Sequence, residues 1–542
     1  MTVRLTVTRL VLFLISVAAL VVLAAAFLSA GKPESPEADK DRSGSQGAEV
    51  AHNTKSYAFY VGKDLTEDGG VLLGGTGEEP SSHWLEIVPR QKHDPDETLT
   101  VGVTGEAAIP GELTRIPQAG ETHKYITMNY SEFAGFPPPL TNGGLNEHQV
   151  AMRDVWSPSR PELIEMTPMP QRGPQYSDLA HIAMQRADSA REAVQIIGRM
   201  VEEHGYSTYG GNSHIVADAE EGWIVIEMAG GEGLWVAERL GPDEVSVAYP
   251  GYIGKIPDNY EEDPDYMGSD NLISFAVEQG WYDPDSGEPF NVQEVYGDGE
   301  DLSAGPKLRA PKEIEAELEG LAPVTIEEMM GMVRDPRIAD DDAGYGQVAD
   351  LKADLPHEEL ATLWVAPTGS VTAPFIPWRI GVKDVPSEFG EHRYMTKGAD
   401  AEYLNEDYRS QEATQFAGLT FKRLMYHTCE HPDKFLPEVT EALEAFEANA
   451  LSEQRSVEAT ALELYEAGQD DLARQYLTDY SKTRAMEGLE LGEALLTSIE
   501  ARMKVLYGVR EPERGDINAS SSSQDRNSVH CLTEGDPDFP EE

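Results

Sequence analysis

Residues 56–75 read SYAFYVGKDLTEDGGVLLGG. Two apolar runs, Tyr57 to Val61 and Val71 to Leu73, flank a polar stretch that ends in Asp68-Gly69-Gly70. Asp-Gly-Gly between apolar runs is a hairpin signal, so the segment is expected to form two antiparallel strands. Further strands are expected at HKYITMNY, HQVAMRDVW, SHIVADA, GWIVIEM, GLWVAERL, EVSVAY, LATLWVAP and PFIPWRIGV. Between them, residues 178–205 carry apolar side chains at helical spacing and end in Gly205, which predicts one long helix. From Leu436 to Tyr507, alternating Glu, Ala and Leu predict two or three amphipathic helices. The expected fold class is therefore α+β, layered, with a helical C-terminal part.

The chain of 542 residues carries 97 acidic and 42 basic side chains, a formal net charge of −55. Its 40% hydrophobic content and seven Trp suffice for a core and exclude global disorder. So acidic a surface repels phosphate backbones and anionic membranes, so no nucleic-acid partner is expected. It suits concentrated salt, where the repulsion is screened. Two cysteines, Cys429 and Cys531, exclude a disulfide scaffold or a multi-cysteine metal site, and leave one disulfide or two thiols open.

Residues 10–30, LVLFLISVAALVVLAAAFLSA, are uncharged and follow Arg4 and Arg9. Residues 1–30 are expected to be a signal peptide or a membrane anchor, the only membrane contact. The rest is then extracytoplasmic: secreted, periplasmic or held at the outer membrane face. Residues 31–55 read as a flexible linker or propeptide, 56–435 as the layered domain, 436–510 as the helical part and 511–542 as a disordered acidic tail. A homo-oligomer is compatible with this organisation.

The string Ser56-Tyr-Ala-Phe-Tyr-Val-Gly62-Lys63, with Asp68-Gly69-Gly70 after it, resembles the start of the dipeptidase A family, relatives of the secernins among the N-terminal-nucleophile (Ntn) hydrolases. Gly144-Leu145-Asn146-Glu147 with Val150-Ala151-Met152 is similar to the family's Gly-Ile-Asn segment and following strand. Arg186 to Ala193, Trp223 to Glu227, Gly230-Gly231 and Trp235 continue the likeness, and Arg334-Asp335, Leu363-Trp364 and Pro374 to Pro377 extend it to about residue 505.

The resemblance implies a four-layer αββα Ntn-hydrolase sandwich and an amidohydrolase that cleaves a dipeptide or other small amide. Ser56 falls on the family's nucleophilic cysteine. Its freed α-amine, with a reference pKa near ~7.7–8.0, would serve as its base and an acyl-enzyme would follow. The amine could be freed by self-cleavage of the Lys55–Ser56 bond. Glu78 would lie near the amine, and Asn146 at the oxyanion site through a backbone N–H. No metal or organic cofactor is implied. The chain departs from the family at Gly75 and Glu78, where an Arg and an Asp are usual, and at Pro250-Gly251, where the family has its oxyanion-hole Asn. One such donor is worth ~3–4 kcal/mol of barrier.

Two other functions compete. A catalytically inert member would bind peptides or amides at the cell surface. A zinc protease would use His427, Glu430 and His431, which satisfy H-x-x-E-H. Pro432 follows directly and would end the helix that this motif needs, so a polar turn is the favoured reading. The glycines of GGVLLGGTGEE lack a nucleotide-loop pattern, and Asp340 to Asp342 lack the rest of a calcium loop.

Overall fold

The computed structural model describes residues 56–77, 83–131, 134–298, 311–339, 343–392, 415–508 and 531–532. The expectations for residues 1–55, for Asp340 to Asp342 and for most of the C-terminal tail lie outside that set. Among the described residues no helix is long and apolar enough to cross a membrane.

The opening segment is the expected hairpin. Strands β1 (Tyr57–Val61) and β2 (Val71–Thr76) pair antiparallel, with Tyr57 opposite Thr76 and Val61 opposite Leu72. Every residue of both strands is buried. This fits a strand covered on both sides, where polar and apolar residues need not alternate. Strands β3 (His83–Val88), β4 (Tyr125–Tyr130), β5 (Leu140–Asn146), β6 (Ala151–Val155), β7 (Asn212–Ala217), β8 (Gly222–Glu227) and β9 (Trp235–Leu240) follow. Then come β10 (Val245–Ala248), β11 (Tyr266–Gly268), β12 (Gly346–Leu351), β13 (Thr362–Ala366) and β14 (Ile376–Arg379). They build a six-stranded sheet in the order β10-β1-β2-β12-β13-β14 and an eight-stranded sheet in the order β11-β9-β8-β7-β6-β5-β4-β3. All the pairings in these two sheets are antiparallel.

Each sheet has helices against it. Helices α1 (Tyr176–Arg186) and α2 (Ala190–His204) cover the eight-stranded sheet through Leu179, Ile182, Ile197 and Val201, packed with Met152, Val216 and Trp223. Helices α3 (Pro311–Gly320) and α4 (Ile326–Arg334) lie on the six-stranded sheet, where a Cβ on Gly74 would sit 3.0 Å from both Met329 and Val333. The inner faces meet through β1 and β2 against β6.

The single helix expected over 178–205 is two. Ala187 leaves α1 in extended conformation, and Ser189, also extended, accepts a hydrogen bond from the Glu192 N–H to start α2. A serine N-cap with Glu three residues on is a start signal that the apolar periodicity runs straight through.

The helical C-terminal part begins earlier than Leu436. It comprises α5 (Ala417–Cys429), α6 (Pro432–Glu466) and α7 (Asp470–Tyr507). Phe421, Leu443, Leu477 and Leu489 join one core with Trp364 and Trp378 of the six-stranded sheet. Cys429 at the end of α5 is bonded to Cys531, which settles the choice between a disulfide and two thiols.

Candidate active site

Ser56 stands one residue before β1. Side chains alternate along a strand, so Ser56, Ala58 and Tyr60 share a face. Tyr60 identifies it: a Cβ on Gly222 of the other sheet would be 2.5 Å from its ring, so all three point between the sheets. Ser56 is 8% exposed. Its Oγ lies 3.5 Å, and Tyr345 Oη 3.4 Å, from the point a Cβ on Gly77 would occupy. A side chain at 77 would therefore crowd both hydroxyls. On the other flank, Ala58 pairs with Ala248 and the Tyr57 and Tyr249 rings lie 5.4 Å apart. Continuing that register sets Pro250 opposite Ser56. The Gly251 N–H beside it already donates to Ser157 Oγ at 3.2 Å.

One pleat along, Gly75 lies between Ala58 and Gln347 in the ladder, on the same inner face. A Cβ on Gly75 would meet Arg153 Cδ at 3.3 Å, Arg153 Cγ at 3.4 Å and the Tyr57 carbonyl oxygen at 2.8 Å. The bare glycine is what lets the stem of Arg153, from β6, lie across β2. The guanidinium is fully buried. Its Nη1 donates to the carbonyls of Met152 and Gly144, while Nε and Nη2 find no partner among the described residues. The buried Gln347 amide is likewise without one. Burial pulls the Arg153 pKa down to about 10, against the opposing pull of Tyr345 and Asp154. A buried cation with unfilled donors is costly, and such sites are commonly functional. Gly75 and Gly77 are about 7 Å apart on one strand, so the Arg153 stem lies one pleat repeat from the Ser56 hydroxyl's neighbour.

The same end of the molecule gathers His83, Asn142 and Asp154. Gly344 donates its N–H to the Gly77 carbonyl at 3.0 Å, and the His83 ring lies 6.0 Å from that of Tyr345. Nε2 of His83 is 3.2 Å from Asn142 Oδ1, and Asn142 Nδ2 donates to Asp154 Oδ1 at 3.4 Å. Sequence reading missed these residues and Arg153. The signal for two of them was present: Arg153-Asp154 is a charged pair inside the apolar strand run HQVAMRDVW.

Of the expected site residues, Glu78 lies outside the described set. Asn146 is at the wrong end. Gln149, in the turn after it, exchanges hydrogen bonds of 2.9 Å with the backbone of Lys352, beside the Val71 end of β2. Ser56 sits at the Gly77 end, about 20 Å away along that strand. The Asn146 side chain donates to the carbonyls of Met184 and Ala187 and accepts from the N–H groups of His148 and Val150. Its own N–H goes to the Val150 carbonyl. Asn146 therefore closes a turn and ties down the end of α1; no donor is left over for an oxyanion.

The H-x-x-E-H residues do not share a helix. Helix α5 ends at Cys429, His431 caps α6, and Pro432 occupies its first turn. His427 Nε2 faces Glu500 at 3.3 Å and the His431 ring stacks on Tyr507. Among the described residues the grouping able to hold a metal is instead His123, His148 and Asp188.

Residues 120–304 match the family described as Peptidase family C69. That span contains Arg153 and Asn142 but not Ser56. The chain is similar to "Probable dipeptidase B" of Streptococcus pyogenes serotype M3, at 28% identity over 254 residues, covering 44% of this chain and 46% of the relative. The corresponding protein of serotype M6 is 29% identical over 217 residues, covering 38% and 40%. The chain thus spans a little under half the length of these curated relatives. Among solved structures, a point mutant of the conjugated bile acid hydrolase from Clostridium perfringens aligns at 9% identity with a TM-score of 0.28, covering 58% of this chain and 89% of that one. The resemblance read from the sequence is met by the peptidase family over residues 120–304 and by relatives named as dipeptidases.

Proposed function

We propose that the protein is an exported peptidase of dipeptidase type with the four-layer Ntn-hydrolase sandwich as its fold and Ser56 as its nucleophile. The observation that carries this reading is the position of Ser56: its hydroxyl faces the space between the sheets, at a strand end, beside glycines on the neighbouring strand. The match of residues 120–304 to a peptidase family and the dipeptidase names of the relatives support the reaction class.

Cleavage of the Lys55–Ser56 bond frees the α-amine that serves as base. The amine takes the proton of Ser56 Oγ as the oxygen bonds to the substrate's carbonyl carbon. It returns that proton to the leaving amine as the C–N bond breaks, and water then releases the acyl group. The guanidinium missing at Gly75 comes from Arg153 on the facing sheet, whose charge stabilises the negative charge that develops near Ser56. The Cys429–Cys531 disulfide and the apolar stretch 10–30 both support export.

The test is hydrolysis of dipeptides and small amides. Ser56→Ala is expected to abolish turnover, whereas His427→Ala and His431→Ala leave it within about twofold of wild type, since both sit in the C-terminal helical part and not on the inner faces of the sheets. Chelator-sensitive turnover lost with the two histidines would reverse the assignment. A second reading, a member that binds peptides without cleaving them, is favoured by one observation: Gly251 N–H beside Ser56 is already bonded to Ser157. Tight dipeptide binding by wild type with no turnover would select it.

A further inference from the structure

The break between α1 and α2 holds Asp188 out beside two histidines from other elements. His123 Nε2 lies 3.1 Å and His148 Nε2 3.4 Å from the same oxygen, Asp188 Oδ1. The three ligand atoms all fall within 4.8 Å of one another. His123 precedes β4, His148 lies in the turn after β5, and the two rings meet edge to face at 4.4 Å. In a tetrahedral zinc site with bonds near 2.0–2.1 Å, neighbouring ligand atoms stand about 3.3 Å apart, so these separations already suit one ion. His148 Nε2 makes no hydrogen bond among the described residues despite its burial.

The surroundings support the same use. His123 Nδ1 accepts a hydrogen bond of 3.4 Å from Arg90 Nη2 and lies 3.6 Å from Glu147 Oε1, and Glu147 is held in turn by Arg90 and by the Lys124 N–H. An outer partner at the far nitrogen, here the Arg90–Glu147 pair, holds the ring of a metal-binding histidine in place. His123 and His148 are largely covered, at 14% and 29% exposure, while Asp188 is 65% exposed. The sequence hides this set: the ligands come from three loops, with no short spacing between them.

We propose that His123, His148 and Asp188 bind one divalent transition-metal ion of the Zn²⁺ or Co²⁺ kind. Two imidazoles and one carboxylate select such ions over Ca²⁺ and Mg²⁺, which take oxygen ligands. The site joins the Asn146 end of the eight-stranded sheet to the α1–α2 junction. It lies far from Ser56, so it fastens the fold and takes no part in hydrolysis. It therefore stands or falls independently of the peptidase reading.

The full chain, stripped with chelator, is titrated with Zn²⁺ by calorimetry and with Co²⁺ by visible absorption. Salt near about 0.15 M and excess Mg²⁺ mask the acidic surface. One saturable equivalent is expected, with the d–d bands of a low-coordinate Co²⁺ site and a rise in melting temperature. His148→Ala and the near-isosteric Asp188→Asn should each weaken binding by about 100-fold, while His431→Ala leaves it unchanged. Melting of the metal-free Asp188→Asn protein, expected to match wild type, separates loss of a ligand from loss of the fold. Tight binding that survives both ligand variants would overturn the assignment, as would loss of binding in His431→Ala or the absence of a saturable equivalent in wild type.

Discussion

Arg153 is the residue that most separates a functional account of the inner face from a purely structural one. Its stem lies across Gly75 and its guanidinium is buried with two nitrogens unfilled among the described residues, and a cation kept only for packing would be better replaced by an apolar side chain. If it serves the charge that develops near Ser56, function and stability should move in opposite directions. Arg153→Met is expected to lower kcat/KM by about 100-fold or more while stability holds or rises by up to ~1–4 kcal/mol. Arg153→Lys keeps the charge but not the planar fork and should recover only part of the loss. Lower melting temperature with full activity would make Arg153 structural. The sequence shows a charged residue inside a strand run, which is the legible half of this site. The other half, that Gly75 on a strand of the opposite sheet makes room for it, depends on how two sheets face each other and is not written locally. Asn146 teaches the converse. Its motif is real, but its hydrogen bonds are spent on α1 and the turn to Val150.

At the scale of elements, ten of the fourteen strands in the two sheets were legible as short apolar runs bounded by turn residues, from YAFYV to IPWR. Strands β3, β5, β11 and β12 were not, β5 because its LTNGGLN has little apolar pattern. The α1–α2 break was not, because apolar periodicity continues across Ala187 to Ser189 and the N-cap signal at Ser189 is local and weak against it. Attachment of the C-terminal helices was equally invisible. Arg334 of α4 donates Nη1 to Glu447 of α6 at 3.0 Å and Nε to the Ser370 carbonyl at 3.0 Å, while Glu447 also accepts the Phe375 N–H at 2.7 Å. Both side chains are almost fully buried, at 7% and 5% exposure. Arg334→Leu would leave Glu447 buried without its cation and is expected to destabilise the fold by ~3–5 kcal/mol, read from urea unfolding. A change below about 0.5 kcal/mol, the range of ordinary surface substitutions, would show that the helices are held by apolar contacts alone.

For the molecule as a whole, the disulfide from α5 to Cys531, the −55 charge and the apolar run at residues 10–30 support the proposed export of the chain. The layered sheets place Ser56 at one end and the His123, His148 and Asp188 cluster at the other, so the proposed nucleophile and the proposed metal site are kept apart. Everything in the catalytic account depends on one covalent event, because an α-amine can act as base only when nothing precedes it. The direct measurement is the intact mass and N-terminal sequence of the purified protein that hydrolyses dipeptides, with Ser56→Ala processed in parallel. Active wild-type protein is expected to begin at Ser56, and the variant to be inactive. Active protein that retains Lys55 or any residue before it would contradict the account.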